Sequence, residues 1–320
     1  MTHDLDLASA ADAILKCLAV GSSDDVLLLH NPPQRTLAEV LAKAAHGRAA
    51  SVRMLEYPTS SRDGEAPPST VARAMLEATV VVATTICSIS HTPARAQASA
   101  QGARIAGAYA CENKDAFIAA INVDYEELER STARTAAALS VSTTCRITSA
   151  AGTDVLLTIA GREGIADDGN LRMPGDWGNL PAGEAFIAPL ETTGDGIIVF
   201  DGAFAGYGLL EAPLRVELER GRLVSAEGDA AAWLLATLDD GGEHGRTIAE
   251  IGIGTNPSAG LCGEIAIDEK VLGTAHIAFG TSVACGGVNQ ASVHLDGILL
   301  EPRVELDGIP LRQAQPGQNS

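Results

Sequence analysis

Val26-Leu27-Leu28-Leu29-His30 is a continuous apolar run that Pro33 cuts off shortly afterwards. A strand that is apolar on both sides must be buried on both faces, the habit of a parallel sheet covered by helices. The flanking segments agree. Residues 4–18 space their apolar side chains at helical intervals, and Thr36 is placed to cap a helix running to Ala45. Residues 51–57, the β-branched 79–85 and 104–109 read as further strands. Helical stretches at 67–77 and 91–101 separate them, and 114–121 and the amphipathic 125–139 follow. This alternation predicts an α/β N-terminal domain with a mostly parallel sheet.

The pattern changes near residue 140. Period-2 segments at 145–149, 155–159, 197–200, 214–218 and 222–227 are punctuated by glycine turns such as Gly194-Asp195-Gly196. They predict an α+β C-terminal catalytic domain with a curved antiparallel sheet, dividing the chain into 1–140 and 141–320. The tail, residues 313–320, reads as frayed.

Charge and composition exclude whole classes of partner. The 320 residues carry 22 Lys+Arg against 41 Asp+Glu, a net charge of −19, which repels nucleic-acid backbones and anionic membranes. Aromatic residues make up 3%, too few for a base-stacking surface. The longest nearly apolar run, 78–90, is too short to span a bilayer, and the first residues are acidic where a signal peptide is basic. The six cysteines (Cys17, Cys87, Cys111, Cys145, Cys262, Cys285) form no C-x-x-C pair, and read as buried thiols of a reducing compartment. A cytoplasmic protein acting on a small molecule or small peptide is the expectation.

The N-terminal half has no G-x-G-x-x-G after Leu29 and no phosphate-binding P-loop, and His30, His46 and His91 each stand alone as structural residues. The C-terminal half concentrates the chemistry. In Val293-His294-Leu295-Asp296-Gly297, a strand puts His294 and Asp296 on one face, as a metal taking two ligands from one rigid element requires. Thr274 to Gly280 sets His276 in an apolar stretch. Ala249 to Pro257 sets Glu250 at the edge of an apolar strand, and Asn179 to Phe186 sets Glu184 in a turn before an apolar run. Buried imidazoles and carboxylates need partners, and a shared divalent cation satisfies them together. Ser292 near His294 has no G-x-S-x-G elbow around it. Cys262 and Cys285 flank the His276 block as candidate soft ligands or nucleophiles but read first as small buried fillers, and Asp268-Glu269-Lys270 reads as a turn with an internal ion pair ahead of a Lys270 that faces substrate.

Four blocks, Leu180 to Glu184, Glu250 to Pro257, Asp268 to Gly280 and His294-Leu295-Asp296, together resemble the catalytic half of the thermophilic metalloprotease (aminopeptidase T, M29-type) family. The resemblance implies Glu184, Glu250, His276, His294 and Asp296 as ligands of two divalent ions, zinc, cobalt or manganese. It also implies a metal-activated water, with Glu184 or Glu250 shuttling the proton, and a homodimer. The family's tyrosine seven residues after the histidine of the H-I-A block is Val283 here, and Tyr207 is the only tyrosine in the C-terminal half. The chain also resembles the 2,5-dihydroxypyridine 5,6-dioxygenases, non-haem Fe(II) enzymes that bind iron with two histidines and an aspartate. Their H-x-D matches His294 and Asp296, their other histidine falls at Glu250, and His276 falls at a non-ligand position. Because the peptidase-like donors are retained, the sequence reads first as an aminopeptidase-like hydrolase of a small peptide or amide. The alternatives are a ring-cleaving dioxygenase and a metal-binding protein without turnover.

Overall fold

The computed structural model describes residues 7–62, 64–108 and 113–312. The chain forms two compact units, residues 1–125 with 169–182, and residues 126–168 with 183–320. The sequence reading had a single break at 140. In the structure the division falls after Tyr125, the first residue of the helix Tyr125–Val141, and 169–182 belongs to the first unit.

In the first unit five strands form a sheet in the order Ser51–Glu56, Asp25–His30, Val80–Thr84, Arg104–Gly107, Trp177–Asn179. Every pairing is parallel. Val80–Thr84 is buried at each residue and Asp25–His30 at all but the first, as the continuous apolar runs require. The helix expected to start at Thr36 starts at Arg35, behind a 3₁₀ turn Pro32–Gln34. Proline at 32 and 33 presets the φ of that turn, so Thr36 lies inside the first helical turn rather than capping it. The strand Trp177–Asn179 has no counterpart in the sequence reading, because three residues including a glycine carry no periodicity. The start of the expected 4–18 helix, Tyr109 at the end of the expected fourth strand, Cys111 and the tail 313–320 lie outside the described residues.

The second unit is antiparallel, as its period-2 segments imply, but its strands are shared between two seven-stranded sheets. One contains Thr144–Thr148, Asp154–Thr158, Asp195–Phe200, Leu214–Glu219 and Arg222–Glu227. The other runs Gly208–Leu209, Ala203–Phe204, His294–Leu300, Thr274–Gly280, Ile248–Gly254, Glu184–Ile187, Ile165–Asp167. Side chains from both sheets meet in one core, among them Ile147, Leu157 and Val216 from the first and Ile187, Ile251, Ile277 and Leu299 from the second. Phe200 and Phe204 lie edge to face there with centroids 4.9 Å apart, the arrangement aromatic quadrupoles favour.

The described cysteines are all free thiols. Burial alone pushes Cys145 up to about 12. Among the described residues no helix is long and apolar enough to cross a membrane.

Candidate metal centre

The second sheet of the second unit gathers the five residues named as metal ligands. Opposed residues of an antiparallel pair put their side chains on the same face. Glu184 opposes Gly254, Gly252 opposes His276, Ala278 opposes both Glu250 and Asp296, and Gly280 opposes His294. Glu184, Glu250, His276, His294 and Asp296 therefore project from one face. The alternate residues Ile251, Ile253, Ala275, Ile277 and Phe279 point to the other and build the core. Glu184 stands in the strand Glu184–Ile187, not in the turn the sequence suggested, and Glu250 is inside Ile248–Gly254 rather than at its edge.

Small residues make room for the large ones. A Cβ on Gly252 would fall 1.9 Å from His276 Nε2, so the imidazole lies directly over the glycine. There His276 Nε2 is 3.2 Å from Glu250 Oε1 and 3.3 Å from Glu184 Oε2. His294 Nε2 is 3.4 Å from both Glu250 Oε2 and Asp296 Oδ1. The His294 ring is oriented from behind, its Nδ1–H donating to the Thr281 carbonyl at 2.7 Å, which leaves Nε2 free to face the carboxylates.

The electrostatics follow from this crowding. Burial pushes the Glu250 carboxyl up, but the imidazoles of His276 and His294 outweigh it and hold it well below the usual range. Burial pushes His276 down, yet Glu250 and Glu184 hold it up at about 9. His294 is likewise held well above its ordinary value, burial being overcome by Asp296 and Glu250. Glu184 is pushed well above, by burial and by the charge of Glu269, with Lys270 opposing. Among the described residues Glu184 Oε2 and His276 Nδ1 are buried without a hydrogen-bond partner. Donor atoms turned inward on one another, some with nothing to bond, fit a divalent cation that would replace the imidazolium charge.

Three groups bring their ligand atoms within 4.8 Å of one another: Glu184, Glu250 and His276; Glu269, His276 and Asp296; Glu250, Cys285 and His294. Glu269 is an addition to the sequence reading, and Cys285 stands among the ligand atoms rather than only as a filler. Cys285 is buried, as expected of a filler, but its Sγ–H also donates to Glu250 Oε2 at 2.6 Å. Burial and the Glu250 charge push that thiol far up, so it is held as a neutral donor. The sequence signal was its place just after the His276 strand. The expected ion pair between Glu269 and Lys270 is present at 2.9 Å, but Lys270 is also buried against Glu184 and Asp167, which a turn residue need not be. Ser292 Oγ donates to the Asp240 carbonyl and takes no part with His294. Tyr207 packs on Trp233, and Val283, where the peptidase tyrosine would stand, opens a 3₁₀ turn with its side chain exposed.

The fold is shared with solved enzymes. The structure of 2,5-dihydroxypyridine dioxygenase from Pseudomonas putida KT2440 superposes with a TM-score of 0.82 at 20% identity, covering 97% of this chain and 96% of that one. Wild-type AmpT from Thermus thermophilus gives 0.72 at 19% identity, covering 96% and 98%. At these identities the likeness is one of fold, and the resemblance to aminopeptidase T is supported at that level. No curated protein sequence matches the chain. Residues 6–314 match the sequence model of NicX, 2,5-dihydroxypyridine 5,6-dioxygenase, so of the enzyme families suggested by the sequence the chain belongs to this one.

Proposed function

We propose that the chain is a non-haem Fe(II) dioxygenase that opens a hydroxylated nitrogen-heteroaromatic ring. The observation that carries this reading is His294 beside Asp296 on one strand, with a second buried imidazole, His276, also within ligand reach of Asp296. His294 and Asp296, with His276 reaching Asp296 from the neighbouring strand, would hold an iron ion, which when bound would supply the redox chemistry with dioxygen. The chain's own groups do the rest. Thr281 fixes the His294 ring, Glu250 stays ionised between the imidazoles, and Glu184 Oε2, beside His276 and without a hydrogen bond, is the carboxylate oxygen that takes the proton of a substrate hydroxyl. Family membership over residues 6–314 supports this class over the hydrolase the sequence put first.

One observation favours the hydrolase as a second reading. The two oxygens of Glu250 face different imidazoles, Oε1 towards His276 and Oε2 towards His294, as in a carboxylate that bridges two ions. Anaerobically purified protein, loaded with Fe(II) and supplied with 2,5-dihydroxypyridine, separates the two. Oxygen uptake that is lost in a His294→Ala, Asp296→Ala variant is expected. Hydrolysis of peptides or amides with zinc, cobalt or manganese, without oxygen uptake, would replace this reading with the second.

A further inference from the structure

Lys270 is a cation that the chain itself supplies to this centre. Its side chain is 1% exposed, and its Nζ lies 2.9 Å from Asp167 Oδ2, 2.5 Å from Glu184 Oε1 and 2.9 Å from Glu269 Oε1. An ammonium has three N–H donors, and here each has its own carboxylate oxygen. The arrangement is built into the backbone. Asp167 and Glu184 are opposed in register, so their carboxylates stand side by side. Gly254 opposes Glu184 on the other flank, and a Cβ there would fall 2.1 Å from the Val271 carbonyl oxygen and 3.0 Å from the Lys270 carbonyl carbon. The missing side chain is what lets the 270–271 segment approach the sheet. Asn256 N–H donates to the Lys270 carbonyl at 2.8 Å and holds it there.

Two of those carboxylates also belong to the metal centre. Glu184 turns its other oxygen to His276 Nε2, and Glu269 shares a ligand-capable group with His276 and Asp296. A second divalent ion among Glu184, Glu250 and His276 could reach Glu184 only through Oε2, Lys270 holding Oε1, and would sit against a buried positive charge. We propose that Lys270 Nζ takes the place of a second metal ion, engaging Glu184 and Glu269 and restricting the centre to a single divalent ion. Lys270 is in these terms a positioning residue: it fixes how many ions the donors can accept.

The inference rests on the metal-centre reading, and the test separates the two. The full chain is stripped with a chelator, dialysed against Co(II) or Zn(II), and its bound metal counted by elemental mass spectrometry. The wild type is expected to hold about one ion per chain and Lys270→Ala about two, the added ion occupying the vacated carboxylates. Circular dichroism checks that each protein is folded; if Lys270→Ala is not, Lys270→Gln removes the charge while keeping a polar side chain and is judged by the same count. No metal on the folded wild type would remove the metal centre altogether. Two ions on the wild type, or one or none on the folded charge-removed variant, would overturn the role of Lys270 and leave the centre standing.

Discussion

His276 reaches its carboxylates because residue 252 has no side chain. The Cβ of a Gly252→Ala variant would occupy the place of the imidazole Nε2, so the ring must swing away from Glu250 and Glu184. That variant is expected to lose metal affinity by about 10-fold or more while the sheet still forms. Metal titration beside a circular dichroism spectrum checks it, and unchanged affinity would remove His276 from the ligand set. His294-x-Asp296 was legible in the sequence as a pair on one strand face, and Glu250 as a carboxylate bordering an apolar strand. Lys270 was not. Its long, flexible side chain reaches Asp167, more than a hundred residues earlier, and no local pattern reports where such a chain ends.

At the level of elements, charged residues tie segments together at both sheets. Glu191 accepts from Arg162 Nη2 at 2.7 Å, from Ser282 Oγ at 3.3 Å and from the Val288 N–H at 2.7 Å, pinning the loop between the His276 and His294 strands. In the first unit Asp24 stands before the strand Asp25–His30. It accepts from the Gly21 N–H at 2.8 Å and Thr79 Oγ1 at 2.9 Å, and pairs with Arg104. Burial works against its charge, but the Gly21 N–H, Arg104 and Thr79 together hold it below the usual carboxylate range. Since the folded value lies below the unfolded one, the stabilisation is complete above the unfolded value of ~3.9 and is lost as pH falls through the folded value. Asp24→Asn is therefore expected to cost about 2 kcal/mol at neutral pH and progressively less below pH ~4. Urea unfolding at both pH values measures the difference, and a cost that does not shrink in acid would mean the carboxylate charge contributes nothing.

Over the whole molecule, a net charge of −19 sets a repulsion that every folded contact must overcome. Salt shortens its reach, from ~30 Å near 10 mM to ~8 Å near 150 mM. Melting is expected to shift up by about 2–4 °C over that range if general repulsion dominates. A shift downward would mean that exposed pairs such as Arg35 with Glu56 outweigh it. A dioxygenase and an aminopeptidase share this architecture, so the scaffold alone does not choose the reaction.

The order of residues was enough to predict the parallel sheet of the first unit, the antiparallel character of the second, and His294 beside Asp296 on one strand face. These follow from local periodicity, which records how each segment is buried. Tertiary structure decided the rest. It split the second unit into two sheets, returned 169–182 to the first unit, added Glu269 and Cys285 to the donors, and set Lys270 against Glu184. Each of these is a meeting of residues far apart in the chain, fixed by strand register and close backbone approach, and periodicity within a segment carries no record of either.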